Sequence, residues 1–85
     1  MKYDVKIENR LKRIDGQIQG VLRMMKEEKD CKDVVTQLSA IRSAVDRTIG
    51  VIVSDNLVEC MKESASEEEQ SKIVQEAINL VVKSR

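Results

Sequence analysis

At 85 residues, with 15 basic and 15 acidic side chains, the chain has no net charge and length for one small domain, whose core is marginal unless disulfides, metal or oligomerisation complete it. It contains no histidine, tryptophan, phenylalanine or proline, so the usual general base and the commonest metal ligand are both missing. An enzyme would have to work without a paired base in a domain too slender to enclose a sizeable pocket, and no catalytic residue is assigned.

The only aromatic residue is Tyr3, which leaves an aliphatic core suited to helix-on-helix packing. No run reaches the 18 to 20 or so apolar residues of a membrane span, and the first residues lack the apolar block of a signal peptide. The expected location is the cytoplasm, with no membrane partner. In that compartment two cysteines are more often reactive or metal-binding than a structural staple. The charge balance hides an asymmetry, because residues 1–29 carry eight Lys/Arg against five Asp/Glu, whereas the later segments are slightly acidic.

Helix 1 is predicted to start at Asp4, a good N-cap, and to carry an apolar stripe through Ile7, Leu11, Ile14, Ile18, Leu22 and Met25. One residue before the first members of that stripe runs a polar one, Lys6, Arg10, Arg13 and Gln17. Steps of three and four put these four side chains on one surface, where they either bond phosphates and base edges or form a plain solvated face. Gly16 and Gly20 interrupt the helix at about 1 kcal/mol each relative to alanine, and clear a patch for close approach by another helix or a nucleic-acid backbone.

Lys26 to Asp30 is read as a turn, with Asp30 capping a second helix that runs from Cys31 to about Glu63. Its stripe is Val34, Leu38, Ile41, Val45, Ile49 and Ile52, and Val51-Ile52-Val53 is apolar on every side, so a further helix has to cover it. Ser66-Glu67-Glu68-Glu69 fits a capping box. Helix 3 follows with Ile73, Val74, Ala77, Ile78, Leu80 and Val81 on a broad face, and ends in Lys83 and Arg85, which suit a helix C-terminus. No strand pattern, repeat or low-complexity linker is present.

Cys31 and Cys60 are the only cysteines, 29 residues apart. On one unbroken helix they lie roughly 43 Å apart along the axis, too far for a disulfide within one chain. The same spacing is close to a whole number of turns, which places both on one face. A second copy set antiparallel, centred between Val45 and Asp46, brings Cys31 of each copy to Cys60 of the other. Three uses remain open for such a pair: small buried residues, a soft-metal site between subunits for Cu(I) or zinc, or redox and sulfur chemistry in which one thiol resolves the other. The residue one turn before Cys60 is Asn56, a poor ligand for a soft metal.

Arg10-Leu11-Lys12-Arg13-Ile14-Asp15-Gly16-Gln17, Gly20, Met24, Cys31 with Asp33-Val34, Thr36-Gln37-Leu38-Ser39-Ala40, and Leu57 to Cys60 together resemble the copper-sensing operon repressor (CsoR) family over nearly the whole chain. The resemblance implies an all-α, three-helix protomer, an antiparallel four-helix-bundle dimer built on helices 1 and 2, and a disc-like dimer-of-dimers tetramer. Residues 1–85 would then be a single DNA-binding and sensing domain that holds operator DNA without a helix-turn-helix. Copper sensors of that family use a cysteine of one subunit with a histidine and a cysteine of the other; the cysteines match Cys31 and Cys60, and the histidine position falls on Asn56. Retained cysteines without the imidazole resemble the CsoR-like sulfurtransferase repressor (CstR) branch, which senses persulfides and polysulfides. Glu76 matches an acidic position near the copper site, and Arg10, Arg13, Gln17 and Arg47 match positions that contact DNA.

The function this implies is a persulfide- or polysulfide-sensing repressor of sulfide-detoxification genes, with no cofactor and no resident metal. Sulfur transfer to Cys31 and a di-, tri- or tetrasulfide bridge to Cys60 of a neighbouring subunit would weaken DNA binding. The alternatives are a Cu(I)-responsive repressor using the two thiolates, and a helical interaction protein with no DNA role.

Overall fold

The computed structural model describes residues 2–64 and 66–84. The chain folds into three helices, α1 (Val5–Lys26), α2 (Cys31–Glu63) and α3 (Glu67–Lys83), and no strand occurs among the described residues. Arg85, expected beside Lys83 in the last turn, lies outside them.

Local chemistry sets the helix ends. Asp4 is extended and its carboxylate accepts the Lys6 N–H at 2.9 Å, which satisfies one of the free donors of the first turn. At the other end of α1, the Lys29 N–H bonds to the Met24 carbonyl and the Glu28 N–H to the Met25 carbonyl, the paired bonds of a Schellman cap. That cap puts its pivot residue in the left-handed region, and the residue there is Glu28, at φ 55°. Asp30 precedes α2 as expected, and its backbone carbonyl accepts from Asp33 and Val34. Ser66 caps α3, its Oγ accepting from the Glu69 N–H at 3.2 Å, as the serine half of a capping box requires.

The chain divides into two compact units, Lys2–Thr48 and Ile49–Arg85, with α2 supplying residues to both. In Lys2–Thr48 the buried positions step by seven: Ile7, Ile14 and Val21 on α1, Ile41 and Thr48 on α2. Ile14, Val21 and Ile41 form the core cluster, with Val34 and Ala44 packed against it. Thr48 tolerates burial because its hydroxyl donates back to the Ala44 carbonyl at 2.9 Å.

The apolar stripes read from sequence are therefore each two lines, not one. Leu11, Ile18, Leu22 and Met25 on α1, and Leu38 and Val45 on α2, belong to the expected core stripe but stay exposed in the protomer. Residues four apart diverge by about 40° on a helix, so a stripe built from steps of three and four is wide enough to face two neighbours. One neighbour is supplied within the chain. The second line is uncovered.

In Ile49–Arg85, Val51, Ile52 and Val53 are half-buried, as are Ile73, Ala77 and Val81 of α3. Val53 with Ala77, Ile78, Val81 and Val82 lines an apolar groove of about 270 Å³. None of the described residues from 49 to 84 is fully buried, and Val58, Val74, Ile78, Leu80 and Val82 stay exposed, so part of the roughly 1.5–3 kcal/mol available from enclosing each large aliphatic side chain is unrealised in one protomer.

Candidate nucleic-acid interface

Four residues expected to contact DNA meet in one place. Arg10, Arg13 and Gln17 of α1 and Arg47 of α2 line a single cleft of about 370 Å³ in the Lys2–Thr48 unit, together with Ile14, Ala40, Ser43, Ala44 and Thr48. The α1 side follows from periodicity, since 10, 13 and 17 step by three and four along the flank of the buried Ile7–Ile14–Val21 line. The α2 side is a row of small residues, Ala40, Ser43 and Ala44, ending in Arg47. Small side chains leave the space that the guanidinium groups border. Lys6 belongs to the same sequence stripe, yet it does not line the cleft.

The electrostatics of the cleft are one-sided. No carboxylate lines it. Among the described residues none of the three arginines has an ion-pair partner; the salt bridge present joins Lys29 to Glu27 at 3.9 Å, between exposed side chains in the turn after α1. Gln17 Oε1 is buried and accepts no hydrogen bond. A concave surface with three planar, always-charged forks is suited to phosphate oxygens, which a guanidinium binds through two parallel N–H donors.

Gly20 lies seven residues after Arg13, on nearly the same line of the helix, and Gly16 is beside it. A Cβ at either glycine would meet nothing within 4 Å. The close approach expected there is therefore not made by the chain's own helices. It remains open for a nucleic-acid backbone or a second copy.

Periodicity alone does not single out Ser43 or Thr48, and Arg47 is tied to the α1 arginines in sequence only by the family resemblance. The available signal is the Ala40–Ser43–Ala44–Arg47 row, four residues on one helical face.

Both cysteines are free, Cys31 exposed at the first position of α2 and Cys60 half-buried in the other unit. The Cys60 thiol donates to Asn56 Oδ1 at 3.8 Å, one turn earlier on α2. Asn56 is thus a hydrogen-bond partner of the sulfur. Among the described residues no group of three or more Cys, Asp or Glu side chains is arranged to hold a metal ion. Glu76 is exposed on α3, and its neighbours Gln75 and Asn79 bond to each other at 3.1 Å. No helix of the described residues is long and apolar enough to cross a membrane.

Comparison with known proteins places the chain among transcriptional regulators. A family model described as metal-sensitive transcriptional repressor matches residues 3–83. The uncharacterized protein YrkD of Bacillus subtilis is 52% identical over 63 residues, 73% of this chain and 100% of that protein. The copper-sensing transcriptional repressor RicR of Mycobacterium tuberculosis is 38% identical over 58 residues, 68% of this chain and 60% of its own length. Among solved structures, the nickel-responsive transcriptional regulator InrS superposes with a TM-score of 0.77 at 32% identity, covering 98% of this chain and 94% of that one.

Proposed function

Because the chain belongs to the metal-sensitive transcriptional repressor family, we propose that it represses transcription by holding operator DNA against the arginine cleft, and that an inducer acting at Cys31 and Cys60 releases it. The observation that carries the DNA half is the convergence of Arg10, Arg13, Arg47 and Gln17 on one cleft that no carboxylate lines. Phosphate contacts of this kind fix a protein on the duplex. The whole of residues 1–85 acts as one functional domain in the cytoplasm.

The active form is proposed to be a dimer of dimers. Support comes from the uncovered line of Leu11, Ile18, Leu22, Met25, Leu38 and Val45, and from the unfilled apolar groove beside α3. Both are surfaces that a second copy would bury. An antiparallel pairing would also bring Cys31 of one copy to Cys60 of its neighbour.

Two inducers fit. The names of the relatives favour Cu(I), for which two thiolates from different copies would be a soft donor pair. One chain alone does not supply a closed site, and the family's additional imidazole is replaced by Asn56. That replacement, which puts a poor soft-metal ligand one turn before Cys60, supports the sulfur reading for this chain. In it the Cys31 thiolate attacks the outer sulfur of a low-molecular-weight persulfide, RSSH, giving Cys31–SSH and releasing RS⁻. The Cys60 thiolate of the neighbour then attacks the Cys31 sulfur, forms the disulfide and expels HS⁻. Two cysteine persulfides instead condense to a trisulfide and release H₂S. Either bridge favours a state of the assembly with a weaker hold on DNA.

Intact-protein mass spectrometry under non-reducing conditions, run beside an operator-release assay with polysulfide and with Cu(I), separates the two. Cross-linked dimers carrying extra sulfur, released from DNA by polysulfide, support sulfur sensing. Unmodified thiols with a stable copper adduct and release by Cu(I) support the copper reading. Release by neither would remove the cysteines from the account.

A further inference from the structure

Besides its buried line, α2 carries a second pattern that reads the same from both ends. Arg42 follows the buried Ile41 by one residue, about 100° round the helix. Going inward from Cys31 on this side by steps of four, three, four and three gives Val35, Leu38, Arg42 and Val45. Going inward from Cys60 by the same steps gives Asn56, Val53, Ile49 and Asp46. Alternating steps of this kind hold to one seam of a continuous helix, and α2 is continuous from Cys31 to Glu63. Val35, Leu38 and Arg42 line one groove of about 260 Å³.

A seam of this symmetry fits a second copy laid antiparallel, and the register that joins Cys31 to Cys60 of the other copy fixes every other pair. Val35 meets Asn56, Leu38 meets Val53, Arg42 meets Ile49, and Val45 meets Asp46. Leu38 and Val53 each line an open groove, the second shared with Ile78 and Val82 of α3, so the two grooves face each other. Arg42 and Asp46 are the charges in an otherwise uncharged seam. Both are exposed, and neither has an ion-pair partner among the described residues, although they lie four apart on one helix. Asp46 of the second copy stands three residues from the point that Arg42 faces, about 4.5 Å along the axis, which the long guanidinium arm spans.

We infer that Arg42 of each copy pairs with Asp46 of the other, twice about the dyad, and that these pairs make the seam a surface for a second copy of this chain in one direction and one register. Aliphatic seams alone tolerate a slip of seven residues, and polar residues within them set the alignment. A slip of seven in one direction puts Arg42 against Arg42. In the other direction it draws Arg42 and Asp46 about 15 Å apart along the axis. A parallel pair in register sets each charge against its like. Only the antiparallel alignment in which the cysteines meet satisfies both charges. These pairs presuppose the antiparallel arrangement proposed for the active form, and they are what holds it in register.

Mixing two variants is the test, because it restores pairs between chains and not pairs within one. Arg42→Glu homodimers bring two carboxylates together at each pair, and Asp46→Arg homodimers two guanidinium groups. A dimer of one variant with the other has opposite charges at both. The full-length variants, carrying different mass tags, are unfolded, refolded together and oxidised with diamide, and their Cys31–Cys60 disulfide dimers are weighed under non-reducing conditions. Each variant refolded alone should cross-link at least about tenfold less than wild type, since like charges are set together across the interface. In the mixture more than about nine-tenths of the linked dimers should hold one of each, against about half for random pairing. Wild-type linking in each variant, with random pairing in the mixture, would overturn the charge pairs and leave the antiparallel dimer standing. Loss of linking that mixing does not restore would also overturn them, even where a variant alone does not fold, since the mixed dimer has both interchain pairs. No Cys31–Cys60 link in the wild type would sink the antiparallel arrangement itself, and the pairs with it.

Discussion

Asn56 accepts a hydrogen bond from the Cys60 thiol at 3.8 Å, one turn away on α2. The position next to the half-buried sulfur is thus filled by a side chain that binds the thiol and is a poor ligand for a soft metal. Asn56→His would put an imidazole there, a good ligand for copper. Cu(I) affinity, measured by competition with a chromogenic chelator, should rise by at least about tenfold, in the range by which groups around a metal site change affinity. Unchanged affinity would mean that residue 56 does not face the inducer.

The turn after α1 holds Glu28 at φ 55°, where a side chain is unfavourable by roughly 1–2 kcal/mol. Glu28→Gly keeps both bonds of the cap, since they use the backbone. Part of the gain is offset by the greater freedom of glycine in the unfolded chain. Urea denaturation at fixed protein concentration should show a net gain of about 1 kcal/mol, which for a domain of this size raises Tm by about 4–8 °C. No gain would mean that the turn relaxes out of the left-handed region.

Gly20 has open space where a Cβ would stand. Gly20→Ala should therefore stabilise α1 by about 1 kcal/mol while weakening operator binding, because the added methyl group lies on the Arg13 line. The opposite signs are the point of the prediction. A variant that is more stable and binds DNA equally well would show that no backbone comes close at this glycine.

Much of this architecture is visible in the sequence where the cause is local. Asp4 and Ser66 cap α1 and α3 as their side-chain chemistry requires, and the steps of three and four along Arg10, Arg13 and Gln17 put them on one face. What sequence leaves unread depends on packing. Periodicity joins Ile7 with Leu11 and Ile41 with Val45 into single stripes, but only one member of each pair is buried, because which line faces the chain's own helix is a tertiary choice. Arg47 lies 34 residues from Arg13, and no repeat connects them. The left-handed Glu28 carries no signal either, since the usual glycine is absent.

The uncovered apolar line predicts a second copy. Leu38 is 45% exposed in the protomer, so Leu38→Asp in a functional monomer would cost only about 1–2 kcal/mol, from lower helix propensity and lost apolar burial. In the proposed assembly it places a charge in an apolar seam. Sedimentation velocity should show a smaller species, with operator affinity falling in parallel. An unchanged sedimentation coefficient would put Leu38 outside any interface.

The central claim is that operator DNA is held by the cleft that α1 and α2 form together. Fluorescence anisotropy with the chain's own upstream DNA, across a salt series, tests it in the wild type, Arg13→Ala and Arg47→Ala. Each exposed arginine can be removed without disturbing the buried Ile14–Val21–Ile41 cluster. The account predicts weaker binding in both variants, and a slope of log K against log salt that is shallower by about 0.9 for every phosphate the variant no longer neutralises. Wild-type affinity and slope in both variants would contradict it.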